Sequence, residues 1–112
     1  MIEIRTYEGD GRDVAELVAR VWRGAYAGRK WVPCWGRETL NYQILAREAR
    51  AADFLVAAYD GARLVGCFFA EPFTFRLPDG PVDGTLGSWL TVDEGPSASC
   101  VAPRMVWEMQ RR

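Results

Sequence analysis

Hydrophobic and polar positions along the chain change period several times, and each change marks an element. Glu3-Ile4-Arg5-Thr6-Tyr7 alternates polar and apolar, the period of two expected of a short first strand near a sheet edge. Glu8-Gly9-Asp10-Gly11 is a turn. Asp13 then caps a helix, and Glu16 three residues on completes a capping-box-like pair. Val14, Leu17, Val18, Val21 and Trp22 recur at intervals of three and four, which puts one apolar stripe on that helix and predicts its end between Gly24 and Gly28. After an irregular stretch, residues 37–50 return to helical spacing, with Leu40, Ile44 and Leu45 inward and charges outward.

The second half of the chain reads as strands. Asp53 to Tyr59 is one, Asp60-Gly61 is a strong hairpin turn, and Leu64 to Phe69 is so continuously apolar that a central strand is expected. Glu71-Pro72 is expected to close it. Phe73 to Gly84 mixes aromatics with Pro78-Asp79-Gly80-Pro81, an excursion or small hairpin before a last strand from Gly84 to Val92. A polar loop and an amphipathic helix follow, with Pro103 in the first helical turn and Met105, Val106 and Met109 as core positions. The order strand, helix, helix, three strands, helix predicts an α/β (α+β) sandwich, with a mainly antiparallel sheet and helices on both faces.

Composition narrows the functions. The chain of 112 residues suits a single domain, 1–112, with one hydrophobic core. A net charge of −1 supplies no basic field for nucleic acid or for a membrane surface. No apolar run approaches the ~20 residues of a membrane span, and Met1-Ile2-Glu3-Ile4-Arg5 lacks the order of a signal peptide, so a cytoplasmic protein is expected. The chain has no histidine, which excludes Ser-His-Asp and Cys-His catalysis and removes the commonest zinc ligand; no metal site is expected. Its three cysteines, Cys34, Cys67 and Cys100, are an odd count that argues for thiols, with Cys67 as plain core.

The candidate chemistry gathers in the last quarter. A strand that runs through a tight loop into a helix N-terminus is a place to bind an anion, because the first helical amides have no partners inside the helix. In Arg29-Lys30-Trp31-Val32-Pro33-Cys34-Trp35-Gly36, two tryptophans form either a lid over the core or the wall of a pocket. Glu71, at a strand end, and Asp93, with Glu94 beside it, are carboxylates that could serve as a base or stand as solvated loop groups.

Three features together resemble the GNAT acyltransferase superfamily. They are the hairpin Asp60-Gly61-Ala62-Arg63-Leu64-Val65-Gly66, the strand end Leu90-Thr91-Val92-Asp93, and the helix that closes with Arg104-Met105-Val106-Trp107-Glu108-Met109-Gln110-Arg111-Arg112. The resemblance covers the chain and corresponds to the N-terminal two-thirds of that family. It implies acetyl-CoA as co-substrate, with Leu90, Thr91 and Val92 contacting pantetheine through backbone groups. It also implies that Ser97, Ala98, Ser99, Cys100, Val101 and Ala102 cradle the pyrophosphate. The family's loop is Gln/Arg-x-x-Gly-x-Gly/Ala; here Ala102 matches, while Ser97 and Cys100 replace the Gln/Arg and the first Gly.

By the same resemblance Tyr26, Trp31 and Trp35 line the acceptor pocket, and Glu71 or Asp93 is the catalytic base. The implied reaction moves an acetyl group to an amine of a small molecule or peptide by direct attack. The alternative is a non-catalytic GNAT-fold module with a degenerate loop, acting in regulation or dimerisation. An unrelated small α/β domain holding another anion at Ala98 to Ala102 is a third reading. Family members continue with further strands, so the resemblance implies a domain incomplete at its C-terminus, a homodimer, or pairing with a separate second half.

Overall fold

The computed structural model describes residues 1–26, 28, 36–42, 53–95 and 98–112. The elements are β1 (Ile2–Thr6), α1 (Arg12–Tyr26), α2 (Arg37–Leu40), β2 (Leu55–Asp60), β3 (Arg63–Leu77), β4 (Gly80–Val92) and α3 (Ala98–Arg111). The four strands lie in the order β1-β2-β3-β4, every neighbouring pair antiparallel. Helices cover both faces, as the alternation of elements predicts.

Alternation along the central strands divides the interior into two cores. Leu55, Ala57, Tyr59, Leu64, Cys67, Phe69 and Trp89 pack toward Val14, Leu17 and Val18 of α1 and Leu40 of α2. Val56, Ala58 and Ala70 pack toward Val101, Met105 and Met109 of α3, flanked by Ile2, Ile4 and Phe68. Strand β2 is buried on both faces and takes small or β-branched residues accordingly. Gly66 lets α3 approach: a Cβ there would stand 3.0 Å from Met105 Cε and 3.1 Å from Val101 Cγ1.

Helix α1 begins two residues earlier than the capping-box pattern implies. Asp10 Oδ1 accepts the Arg12 amide at 3.0 Å and so takes the capping role expected of Asp13. Asp13 instead accepts the Tyr7 hydroxyl, whose oxygen accepts the Gly11 amide at 2.8 Å. Burial, then the Asp13 carboxylate, pushes the Tyr7 phenol well above its ordinary range, so it stays protonated. Of the second predicted helix, Ile44 and Leu45 lie outside the described residues.

The excursion at Phe73 to Gly84 is continuous strand. β3 and β4 form one long hairpin closed at Pro78-Asp79, with Leu77 opposite Gly80. Glu71-Pro72 does not end β3. Strand β2 stops opposite Phe69, so among the described residues that side of β3 has no strand neighbour at Pro72 and the missing N–H breaks no ladder bond of theirs. Pro103 is the sixth residue of α3, beyond its first turn, where it deprives the exposed Ser99 of the i+4 amide for its carbonyl.

Candidate functional site

The site is built around an irregularity in β4. Cys67 pairs with Thr91 and Phe69 with Ser88, so three steps along β4 match two along β3. The extra residue is a bulge at Trp89, whose φ of 60° lies in the left-handed region that a bulky side chain rarely adopts. Such strain persists only where the surroundings hold it. Here the indole is 7 % exposed in the core under α1, and the Cys67 thiol donates to the Trp89 carbonyl at 3.3 Å. One residue pair further on, Trp22 Nε1 donates to Thr91 Oγ1 at 3.1 Å, tying α1 to β4.

The bulge sorts the three residues expected to meet pantetheine. Thr91 is 2 % exposed and committed to Trp22; on either side of it along the strand, Leu90 is 44 % exposed and Val92 is half-buried under α3. The outer edge of β4 has no strand neighbour among the described residues. A ligand lying along that edge would meet backbone groups and the Leu90 side chain, with the Thr91 side chain turned away.

Strand β4 leads directly to a charged junction. The Asp93 amide donates to the Val65 carbonyl at 2.8 Å, a carbonyl offered by a bulge in β3 where Tyr59 faces Leu64 and Ala58 faces Gly66. Asp93 Oδ2 accepts from Arg20 Nη2 at 2.8 Å and from Arg63 Nη2 at 2.7 Å, with the carboxylate side chain only 12 % exposed. The carboxylate thus joins α1 and β3 to the start of the loop. A shallow cavity of about 120 Å³ lies alongside, lined by Arg63, Asp93, Glu94, Gly95, Ala98 and Val101 among others.

Helix α3 opens at this cavity. The Ala98 amide donates to the Gly95 carbonyl at 3.1 Å, Ser99 and Cys100 are exposed, and no acidic residue stands in the first turn. The positive end of the helix dipole is therefore not offset by a side chain of its own turn. Val101 is buried against the sheet and Ala102 half-buried, so the segment expected to be a cradle is helical from Ala98 onward. Ser97 lies outside the described residues.

The two carboxylates expected as bases are not brought together. Glu71 is half-buried on β3 opposite Leu86, seven residues and roughly 20 Å of strand from Asp93. Tyr26 stands at the C-terminal end of α1, its ring edge-on to Trp22 with centroids 6.0 Å apart, and so lies near the bulge. Trp31 and Trp35 lie outside the described residues. Burial pushes the Cys67 thiol up to about 12, which makes it an inert core group. Arg20 and Arg63 are the residues that sequence reasoning missed. They come from the polar face of α1 and from the hairpin after Gly61, and no local pattern links them to the loop.

Comparison with solved structures identifies the class of fold. The N-myristoyltransferase of Saccharomyces cerevisiae with bound myristoyl-CoA matches with a TM-score of 0.69 and 18 % identity, covering 99 % of this chain and 26 % of that one. Glucosamine-6-phosphate N-acetyltransferase of Arabidopsis thaliana matches with a TM-score of 0.67 and 11 % identity, covering 99 % and 73 %. A Trypanosoma brucei acetyltransferase matches with a TM-score of 0.58 and 13 % identity, again covering 99 % and 73 %. This chain has a GNAT-like fold over its length. It spans about a quarter of the myristoyltransferase and under three-quarters of the acetyltransferases. The sequence itself matches no family profile and no curated protein. Among the described residues no helix is long and apolar enough to cross a membrane.

Proposed function

We propose that this chain binds an acyl-CoA thioester along the open edge of β4 and takes part in acyl transfer, in the simplest case of acetyl from acetyl-CoA to an amine. One observation supports the reading: a bulged strand whose outer edge has no strand neighbour among the described residues leads toward a helix N-terminus, and Arg63 lines the cavity that the start of that helix shares. Backbone groups of Leu90 to Val92 would hold the pantetheine arm. The Ser99 amide at the start of α3, with Arg63 at the junction, would face the phosphates. The cofactor would supply a thioester carbonyl activated toward direct attack.

An attacking amine must first lose its ammonium proton. Glu71 or Asp93 would accept that proton. Tyr26 would then form one wall of the acceptor site for a small-molecule or peptide amine. The reading places the protein in the cytoplasm.

The second reading, a GNAT-fold module that no longer binds the cofactor, draws on position 100. Cys100 puts an exposed side chain in the first turn, where glycine would leave the backbone open to a phosphate. Calorimetric titration of acetyl-CoA separates the two. Saturable binding that weakens at least ~10-fold in Arg63→Glu supports acyl-CoA binding at this junction. A folded wild type without heat of binding overturns it, and binding gained only in Cys100→Gly establishes the degenerate module.

A further inference from the structure

The far edge of the sheet carries a surface that acyl transfer does not use. Strand β1 lies three strands from β4, about 14 Å away across the sheet, and its outer side has no strand neighbour among the described residues. The register says which groups face outward. Tyr7, opposite Leu55, donates its amide to the Leu55 carbonyl at 2.7 Å, so Glu3 and Arg5 turn their backbone groups toward β2 while Ile2, Ile4 and Thr6 turn theirs away. Arg104 Nη2 covers one of these, donating to the Ile2 carbonyl at 3.1 Å. The N–H and C=O of Ile4 have no partner among the described residues. Helix α3 runs beside this edge in the same direction, with Arg104 at Ile2 and Arg112 donating to Thr6 Oγ1 at 2.6 Å. Between those two ties, Ile4, Pro103, Arg104, Trp107 and Glu108 line an open cavity of about 500 Å³. Trp107 is 61 % exposed, and the Arg111 guanidinium stands 5.1 Å from its ring centroid. The Glu108 oxygens already accept from Arg111 and Arg112. Three guanidinium groups thus stand against one carboxylate, on a chain whose net charge is −1.

We propose that β1 takes an extended acidic segment of a partner protein as an added strand, with an aromatic side chain of that segment seated between Ile4 and Trp107. The backbone argues for an extended peptide. Outward N–H and C=O groups at strand spacing are matched by the alternating donors and acceptors of another extended chain. In antiparallel pairing, the residue opposite Ile4 exchanges both backbone bonds with it and puts its side chain on the same face, over the cavity. The charge argues for an acidic one. Residues two positions to either side of that aromatic fall on the same face, about 14 Å apart. Arg104 and Arg111 lie about 10.5 Å apart along α3, so carboxylates at those two positions each meet a guanidinium group. The charged side chains of β1 itself, Glu3 and Arg5, alternate to the opposite face, where Arg5 lies 4.1 Å from the centre of the Tyr59 ring. Such docking needs no acyl-CoA and leaves the β4 edge open.

Amide NMR spectra of the full chain, titrated with the blocked peptide acetyl-Glu-Thr-Phe-Thr-Glu-amide to millimolar concentration, test the proposal. The expected result is saturable shifts of the Ile4 and Thr6 amides and of the Trp107 indole. Affinity should fall at least ~10-fold when lysine replaces both glutamates of the peptide, when its phenylalanine nitrogen is methylated, and in Trp107→Ala. In the double variant Arg104→Glu, Arg111→Glu the preference should reverse to the lysine peptide, a readout that a folding defect cannot mimic. Absence of saturable shifts on β1, equal binding of the lysine or N-methyl peptide, or a double variant that keeps the glutamate preference overturns it. So does the appearance of the same shifts when the chain alone is concentrated, which assigns the edge to a second copy. Tighter binding of an oligodeoxythymidylate at Trp107 assigns the stripe to nucleic acid and overturns it as well.

Discussion

Gly66→Val probes how closely α3 sits on the sheet. A Cβ at Gly66 would lie 3.0 Å from Met105 Cε, 3.1 Å from Val101 Cγ1 and 3.3 Å from Met105 Sδ. Alanine puts only that one atom there, and the flexible end of Met105 can give by a few tenths of an ångström. Gly66 has an ordinary φ, so the lower unfolded-state entropy of alanine offsets the crowding, and Gly66→Ala should stay within ~1 kcal/mol of wild type. Valine adds two further carbons that reach into fully buried Met105 and Val101. Overpacking of this kind costs about 1–3 kcal/mol, and β-propensity returns only part of it. A net loss of about 1–2 kcal/mol is expected, roughly 5–10 °C in Tm for a domain of this size.

Urea unfolding followed by tryptophan fluorescence reads the stability, and a double-mutant cycle isolates the contact. Met105→Ala alone should cost about 2–5 kcal/mol, because it opens a cavity beside Gly66. In the Gly66→Val background the valine methyls fill that cavity, so the two changes should fall short of additivity by at least ~1 kcal/mol. A Gly66→Val chain as stable as wild type, with an additive double mutant, would refute the packing of α3 described above. The same variant should also weaken acetyl-CoA titration, because lifting α3 moves its N-terminus away from β4.

The remaining expectations concern the junction and the buried hydroxyl and thiol groups. Asp93→Asn should cost no more than ~1–2 kcal/mol, because both arginine partners are half-exposed or more; at low salt it should strengthen acetyl-CoA binding by unmasking two cations, whereas weaker binding would count against the phosphate role of Arg63. Tyr7→Phe removes the acceptor of the Gly11 amide and the donor to Asp13, and should cost about 1–3 kcal/mol in urea unfolding. Cys67 has a folded-state pKa raised from 9.0 to about 12. Its contribution is therefore complete below pH 9 and is lost as pH rises from there through about 12, because only the unfolded chain readily gives up that proton. Cys67→Ala should flatten this alkaline decline, and in the native wild type at pH 8 a thiol reagent should modify exposed Cys100 but not Cys67.

Most elements were legible because each rests on a local signal. The stripe of Val14, Leu17 and Val18 needs only the helical repeat, and Asp60-Gly61 needs only turn chemistry; Gly61 takes a φ of 63°. The length of the hairpin was not legible. A proline normally ends a strand, and what spares Pro72 is the absence of β2 beside it, a fact of sheet topology. The capping role passed from Asp13 to Asp10 for a similar reason, since Tyr7 reaches Asp13 only once β1 and α1 are packed.

The sequence by itself determined the kinds and order of the elements, the central place of the apolar run in β3, and the strand that leads toward a helix N-terminus. These follow from periodicity and turn preferences, which act over a few residues. Only the tertiary structure decided that β4 carries a bulge at Trp89 and that Thr91 is turned inward on Trp22. It alone brought Arg20 and Arg63 to Asp93 across 73 and 30 residues of sequence. Register and charge pairing depend on which strands and helices become neighbours, and that choice is made by burying both faces of the sheet at once.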